Sequence, residues 1–289
     1  MKSYIKGILA LSLIAPIFAS CSNENEPVSA NQGKKLMTFE CSIDNNTRAT
    51  DTSFESGDKI GVYVVKAGEL IQPAGNEVNN ESFTYNGSNW TSSKSVYWND
   101  GTFDVYAYYP YSGTISDTEE MLFSVVEDQS THAGYTSSDF IWASKKNVVG
   151  SASPVSLSFS HCMSKAVVTL EKGEDFSGEI PSDCEVYIHS TATEASVDLK
   201  SGNAAASFYS PTGTVKAFKK SSDTFEAIVV PQNITSRRPL IEVVTKGVSY
   251  LMEGKISFRP GYSHNITITL TKNPEETKIE IGGSIGGWD

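Results

Sequence analysis

The chain is poor in cysteine, in basic residues and in motifs of fixed spacing, and each shortage excludes something. Four cysteines among 289 residues are too few to staple a disulfide scaffold. Cys41, Cys162 and Cys184 have no metal-ligand spacing, and a Cys162–Cys184 bridge does not follow from sequence. Lys and Arg number 23 against 34 Asp and Glu, a formal net charge of −11, which disfavours nucleic acid and anionic membrane surfaces as partners. No nucleophile elbow, zinc-protease helix or phosphate-binding glycine loop is present. The chain therefore reads as a non-enzyme with no cofactor, no catalytic residue and no metal site. Helix-period segments longer than about two turns are absent outside the first residues. What is there is a globular composition, 39% apolar and 20% charged. Tyr 13, Phe 13 and Gly 22, among many Ser and Thr, favour strands and turns.

The N-terminus carries an address. Lys2 and Lys6 precede an uncharged apolar run, Gly7 to Ala19, too short for a membrane span and right for a signal-peptide core. It ends in Phe18-Ala19-Ser20-Cys21, which resembles a bacterial lipobox, so residues 1–20 are expected to be removed and Cys21 to be lipidated. Ser22, rather than Asp, after the cysteine resembles lipoproteins bound for the outer membrane, and Glu24 and Glu26 resemble surface-export signals. Export through the periplasm to the outer membrane and cell surface is the expectation. Residues 21–35 are polar and read as a flexible tether.

Beyond the tether, period-two alternation recurs between turn signals, predicting an all-β chain of two tandem β-sandwich domains, 36–152 and 153–289. Candidate strands of the first are Leu36 to Ile43, Lys59 to Lys66, Phe83 to Tyr85, Tyr97-Trp98, Phe103 to Tyr109, Met121 to Val126 and Phe140 to Ala143. The Gly-, Ser- and Asn-rich stretch Lys145 to Pro154 is read as the boundary. The second set is Val155 to Phe159, Lys165 to Glu171, Glu185 to Ser190, Ala195 to Leu199, Phe225 to Val230, Leu240 to Val244, Ser249 to Glu253 and His264 to Leu270, followed by an extended tail, 278–289.

Candidate chemistry is sparse. His161 and Cys162 are neighbours on a strand, so their side chains should diverge rather than pair. His132, His189 and His264 stand singly. Asp117, Glu119 and Glu120 form an acidic turn without the alternating ligands of a calcium loop. Trp90, Tyr97, Trp98, Tyr106, Tyr108, Tyr109 and Tyr111 would suit a glycan-stacking face if exposed, and a core if not. Arginine is scarce, with four in the chain. Arg48 lies in a polar segment between the first two strands, where it would offer Arg48–Ala49 to a trypsin-like protease. Arg238 and Arg259 each precede proline, leaving Arg237 as the competitor.

The stretch Phe54-Glu55-Ser56-Gly57-Asp58-Lys59-Ile60-Gly61-Val62-Tyr63 resembles the signature of the fimbrillin family, lipoprotein pilin subunits of gut and oral Gram-negative bacteria. Tyr106-Ala107-Tyr108-Tyr109-Pro110-Tyr111, Ser138 to Ala143, Phe159-Ser160-His161, Val229-Val230-Pro231-Gln232 and Ile285-Gly286-Gly287-Trp288 follow in order. The resemblance implies transthyretin-like sandwiches, lipoprotein secretion and polymerisation into adhesive surface fimbriae with other subunits of the same or another kind. It also implies that an arginine-specific protease removes the lipid and first strand, opening a groove for a neighbour's strand. Here that means a cut between Arg48 and Ala49, loss of Leu36 to Ile43, and a donor strand carrying Ile279, Ile281, Ile285 and Trp288. The tail could equally pair within its own domain. Two rival readings stand beside this one: a lipid-anchored monomer that binds a host glycan or protein, and a fimbrial anchor that keeps its lipid.

Overall fold

Alternating apolar and polar residues produce strands through most of the chain. The computed structural model describes residues 33–44 and 53–287, with 282–287 described by backbone alone. In chain order the strands are β1 (Phe39–Ile43), β2 (Lys59–Lys66), β3 (Val78–Tyr85), β4 (Trp90–Ser92), β5 (Thr102–Tyr109), β6 (Met121–Ser124), β7 (Ile141–Val149), β8 (Val155–His161), β9 (Ser164–Lys172) and β10 (Glu185–Ala192). They continue with β11 (Glu194–Val197), β12 (Ala204–Ala206), β13 (Thr212–Lys216), β14 (Phe218–Lys219), β15 (Thr224–Val229), β16 (Gln232–Thr245), β17 (Val248–Phe258), β18 (Tyr262–Leu270) and β19 (Lys278–Gly287). One short helix, α1 (His132–Thr136), precedes β7, capped by the Thr131 side chain accepting from Gly134 N.

The strands form a seven-stranded sheet in the order β1-β8-β7-β5-β2-β3-β4, a five-stranded sheet β14-β15-β9-β18-β19, a four-stranded sheet β13-β10-β16-β17 and a three-stranded sheet β12-β11-β6. The expected all-β sandwich class is what is found. The central strands β2 and β5 of the seven-stranded sheet are buried on both faces. Ile60, Val62, Val64, Phe103, Val105 and Ala107 enter one apolar cluster, together with Met37, Phe39, Phe83, Trp90, Trp98, Leu157 and Phe159. Their neighbours in the same strands, Tyr63, Val65, Tyr106 and Tyr108, enter the other, which continues through Phe140, Val168, Val186, Ile228, Ile241 and Ile268. Strands buried on both sides lose the apolar–polar alternation of a half-solvated sheet.

Two sequence readings are corrected here. Lys145 to Pro154, read as the boundary, begins inside a strand: β7 runs on to Val149, with Phe103 opposite Val148 and Thr102 opposite Val149. Backbone pairing to β5 overrides a composition with little to bury. Val155–His161, placed by sequence in the second sandwich, hydrogen-bonds in the first sheet between β1 and β7, while β6 pairs across the halves with β11. Gln129, fully buried, reinforces that link: its Nε2 donates to Ile228 O at 2.7 Å and its Oε1 accepts from Ile228 N at 2.8 Å, so its amide imitates a strand residue.

Candidate functional site

Between Lys35 and Asp44 the chain changes partners. Met37 N donates to Val96 O at 2.8 Å and Trp98 N to Lys35 O at 2.9 Å, which makes Tyr97-Trp98 a bridge rather than the expected strand. From Thr38 onward the segment runs parallel to β8, with Phe39 opposite Val155, Cys41 opposite Leu157 and Ile43 opposite Phe159. Val155 N donates to Thr38 O at 2.9 Å and Asp44 N to Phe159 O at 2.7 Å. Alternation turns Met37 and Phe39 inward, 4% and 5% exposed, and the Phe39 ring meets Phe83 edge-on at 4.8 Å. Cys41 and Ile43 continue the row, half-buried. Burial, reinforced by Glu40, pushes the Cys41 thiol up to about 12, so it stays protonated.

β1 is therefore an edge strand whose side chains complete a core. Its removal would uncover an apolar groove lined by Phe83, Trp98, Val155, Leu157 and Phe159. Removal of the whole segment from Lys35 to Asp44 would also leave Val96 O, Trp98 N, Val155 N and Phe159 O without their present partners. An edge in that state can be satisfied by another extended segment. At the end of β1 lies a cavity of about 260 Å³ whose walls include Ile43, Ser53, Phe54, Asp58 and Asp139.

The segment that begins at Phe54 is held by contacts outside β1. Phe54 packs edge-on against Trp90, Tyr109 and Phe159, at 4.9, 5.9 and 5.4 Å between ring centroids. Asp58 Oδ2 accepts from Glu55 N at 2.7 Å and Oδ1 from the Tyr109 hydroxyl at 3.2 Å, while Gly57 takes φ +106° in the turn. Those contacts account physically for the Phe54-to-Tyr63 signature.

The tail docks on its own chain. β19 pairs antiparallel with β18, placing Ile279 opposite Ile268, Ile281 opposite Ile266 and Ile285 opposite His264. Ile279 and Ile281 pack, partly buried, against the larger core. Of the sequence-derived site residues, Cys21, Arg48, Ala49 and Trp288 lie outside the described residues. β1 and β19 sit in different sheets, so the structure does not bring them together.

The remaining candidates are structural. Trp90, Trp98, Tyr106 and Tyr108 are 6%, 5%, 2% and 1% exposed, which removes them from any stacking face. The second face of β5 joins the larger core, where Phe140 stacks on Tyr108 at 5.8 Å. Tyr108 donates to Asn80 Oδ1 at 2.7 Å. His161 Nδ1 lies 2.8 Å from Asp139 Oδ2, and Cys162 Sγ is directed to Ser160 O at 3.7 Å, so the two do not pair. Burial raises the Cys162 thiol well above its ordinary value. Cys162 and Cys184 are free thiols. His189 lies between Thr214 Oγ1 and Glu242 Oε2, each at 2.9 Å. Asp117 Oδ1 accepts from Glu119 N and Glu120 N at 2.8 and 3.1 Å, capping its own turn. Among the described residues no helix is long and apolar enough to cross a membrane.

Comparison with known proteins agrees with this architecture. Residues 47–288 match the model of the family described as "Fimbrillin-like". A "Putative fimbrium subunit Fim1C" of Bacteroides uniformis is 25% identical over 98% of this chain and 95% of its own length. A "Putative fimbrium tip subunit Fim1C" of Bacteroides ovatus is 31% identical over 59% of this chain, which spans only 36% of that protein. The crystal structure of a "putative cell adhesion protein" from Bacteroides ovatus superposes with TM-score 0.72 at 20% identity, covering 89% of this chain and 98% of that one. A second, from Bacteroides uniformis, gives 0.67 at 19% identity, covering 89% and 99%. With the match extending from just after β1 to the end of β19, the chain belongs to the fimbrillin-like family.

Proposed function

We propose that the chain is a fimbrial subunit that reaches the cell surface as a lipoprotein anchored at Cys21 and polymerises by strand exchange. Cleavage between Arg48 and Ala49 releases the segment bearing β1. The groove it leaves accepts residues 278–289 of another subunit, with Ile279, Ile281, Ile285 and Trp288 as plugs. The observation that carries this reading is the seat of the segment bearing β1: Met37, two residues before the strand, and Phe39 within it complete a core whose other buried members lie between Ile60 and Phe159, and β1 itself is a short parallel edge strand. Its pairing with β18 means that the tail must first leave its own sheet, which makes release of β19 a separate step. The first sandwich is proposed to close with β8, at His161.

The test compares the chain carrying Cys21→Ala, which takes no lipid, with the same chain also carrying Arg48→Ala. Each is treated with an arginine-specific protease, followed by mass spectrometry and unheated gel electrophoresis. The expected result is a new N-terminus at Ala49 and a ladder of oligomers only where Arg48 is present. Resistance at Arg48, or cutting without oligomers, would sink strand exchange and favour the lipid-retaining anchor.

A further inference from the structure

Among the described residues, the aromatic side chains most exposed to solvent are not in the first half, where the sequence concentrates its rings. Phe208 and Tyr209 are 91% and 87% exposed, and their rings meet edge-on at 4.9 Å. They occupy the two central positions of a turn closed by Ser210 N donating to Ser207 O at 3.0 Å. Gly, Pro, Asn and Asp usually fill such positions, for the backbone angles they adopt and the local hydrogen bonds of Asn and Asp. The turn is stapled to β11: Ser207 N donates to Glu194 O at 2.9 Å, and Ser210 Oγ accepts from Thr193 N and Glu194 N at 3.1 and 2.9 Å. Two large rings are thus held out in solvent by a hydrogen-bonded loop, a presentation that favours recognition over packing.

Beside the rings lies a groove of about 590 Å³ along the three-stranded sheet, with Leu122, itself 57% exposed, on its wall. Asp117, Glu119, Glu120, Glu194 and Asp198 line it, and no Lys, Arg or His does. An occupant that brought no positive charge would confine these carboxylates without neutralising them, so charge complementarity selects a cation. Exposed ring faces provide a second site of attraction for ammonium or guanidinium groups. A second copy of this chain, at net charge −11, is a poor candidate. We infer that the Phe208–Tyr209 turn and the groove beside it form a docking surface for a polypeptide segment bearing Lys or Arg interleaved with aliphatic residues. None of its lining residues belongs to β1, β8 or β19, so the surface is independent of strand exchange.

The probe is a fluorescein-labelled peptide of alternating arginine and leucine, read by anisotropy against the purified full chain. Peptides of alternating aspartate and leucine, and a neutral glucan oligosaccharide, serve as comparisons. Saturable binding of the basic peptide is expected, weakening as salt rises from ~50 to ~300 mM. It should fall about tenfold in the paired Phe208→Ser, Tyr209→Ser variant and again in Glu119→Lys, Glu120→Lys. All four positions are exposed, and unchanged circular dichroism melting of the variants verifies their fold. Strand-exchange ladders should be unchanged in both variants. Absence of saturable binding, equal binding by both variants, or salt-insensitive binding of the glucan at this face would each overturn the inference.

Discussion

At Gly61 a methyl group would run into the Tyr108 ring, which is 1% exposed and hydrogen-bonded to Asn80. Gly61→Ala should therefore cost about 1–3 kcal/mol through overpacking, read as a lowered urea midpoint with unchanged m-value. Combining it with Tyr108→Leu should recover part of the loss, because the two positions share one space. His264 carries a different prediction. Burial lowers its pKa from the ordinary histidine range, and its Nε2 accepts from Arg259 N at 2.9 Å, a bond that the protonated ring cannot accept. With the folded pKa below the unfolded value of about 6.5, the unfolded chain binds more protons between them, so stability falls as pH drops below about 6.5. This component should vanish in His264→Gln when stabilities at pH ~7.5 and ~5 are compared. Asp104 acts in a lower window. Burial pushes it up, but the amides of Asn147 and Gly68 and the Lys146 ammonium together hold it below the usual carboxylate range. Its contribution is present above about pH 4 and is lost as pH falls through the lowered folded value, clear of the histidine effect.

At the scale of elements, β1 and β19 are each held from one side. β1 pairs with β8 and β19 with β18, both at sheet edges. Phe39→Ala removes the ring that meets Phe83 and should destabilise the chain by about 3 kcal/mol. Amide exchange at Val155, whose N–H bonds Thr38 O, should accelerate as the edge loosens. The tail is probed separately. Ile281 lies opposite Ile266 and faces the core, so Ile281→Asp should detach β19 and expose β18 to exchange while leaving β1 protected. If β18 stays protected in that variant, the tail is held by something other than its isoleucines.

For the molecule from Lys35 onward, the larger core decides cooperativity. It joins Tyr63, Tyr106 and Phe140 to Val168, Ile228 and Ile268, and Trp142 Nε1 donates to Leu199 O at 2.7 Å across the halves. Urea unfolding followed by tryptophan fluorescence and by far-ultraviolet circular dichroism should give one coincident transition. Two separated transitions would mean that the sheets unfold as independent sandwiches despite the shared core.

The all-β class and the apolar faces of β2, β5, β9 and β18 were legible in sequence, because period-two alternation and turn residues are local properties of the chain. Alternation also puts Met37 and Phe39 on one face of any strand through them, although the sequence alone did not single them out. Tertiary structure decided what alternation cannot carry. Tyr106 and Tyr108 are buried because the second face of β5 packs into the larger core, where Phe140 stacks on Tyr108, and Val155–His161 joins the first sheet because its backbone partners are β1 and β7. Only the fold could leave Phe208 and Tyr209 in water, since an aromatic pair has the same sequence inside a core or outside it. Whether a side chain is covered depends on which distant segments arrive above it, and sequence periodicity records only which way it points.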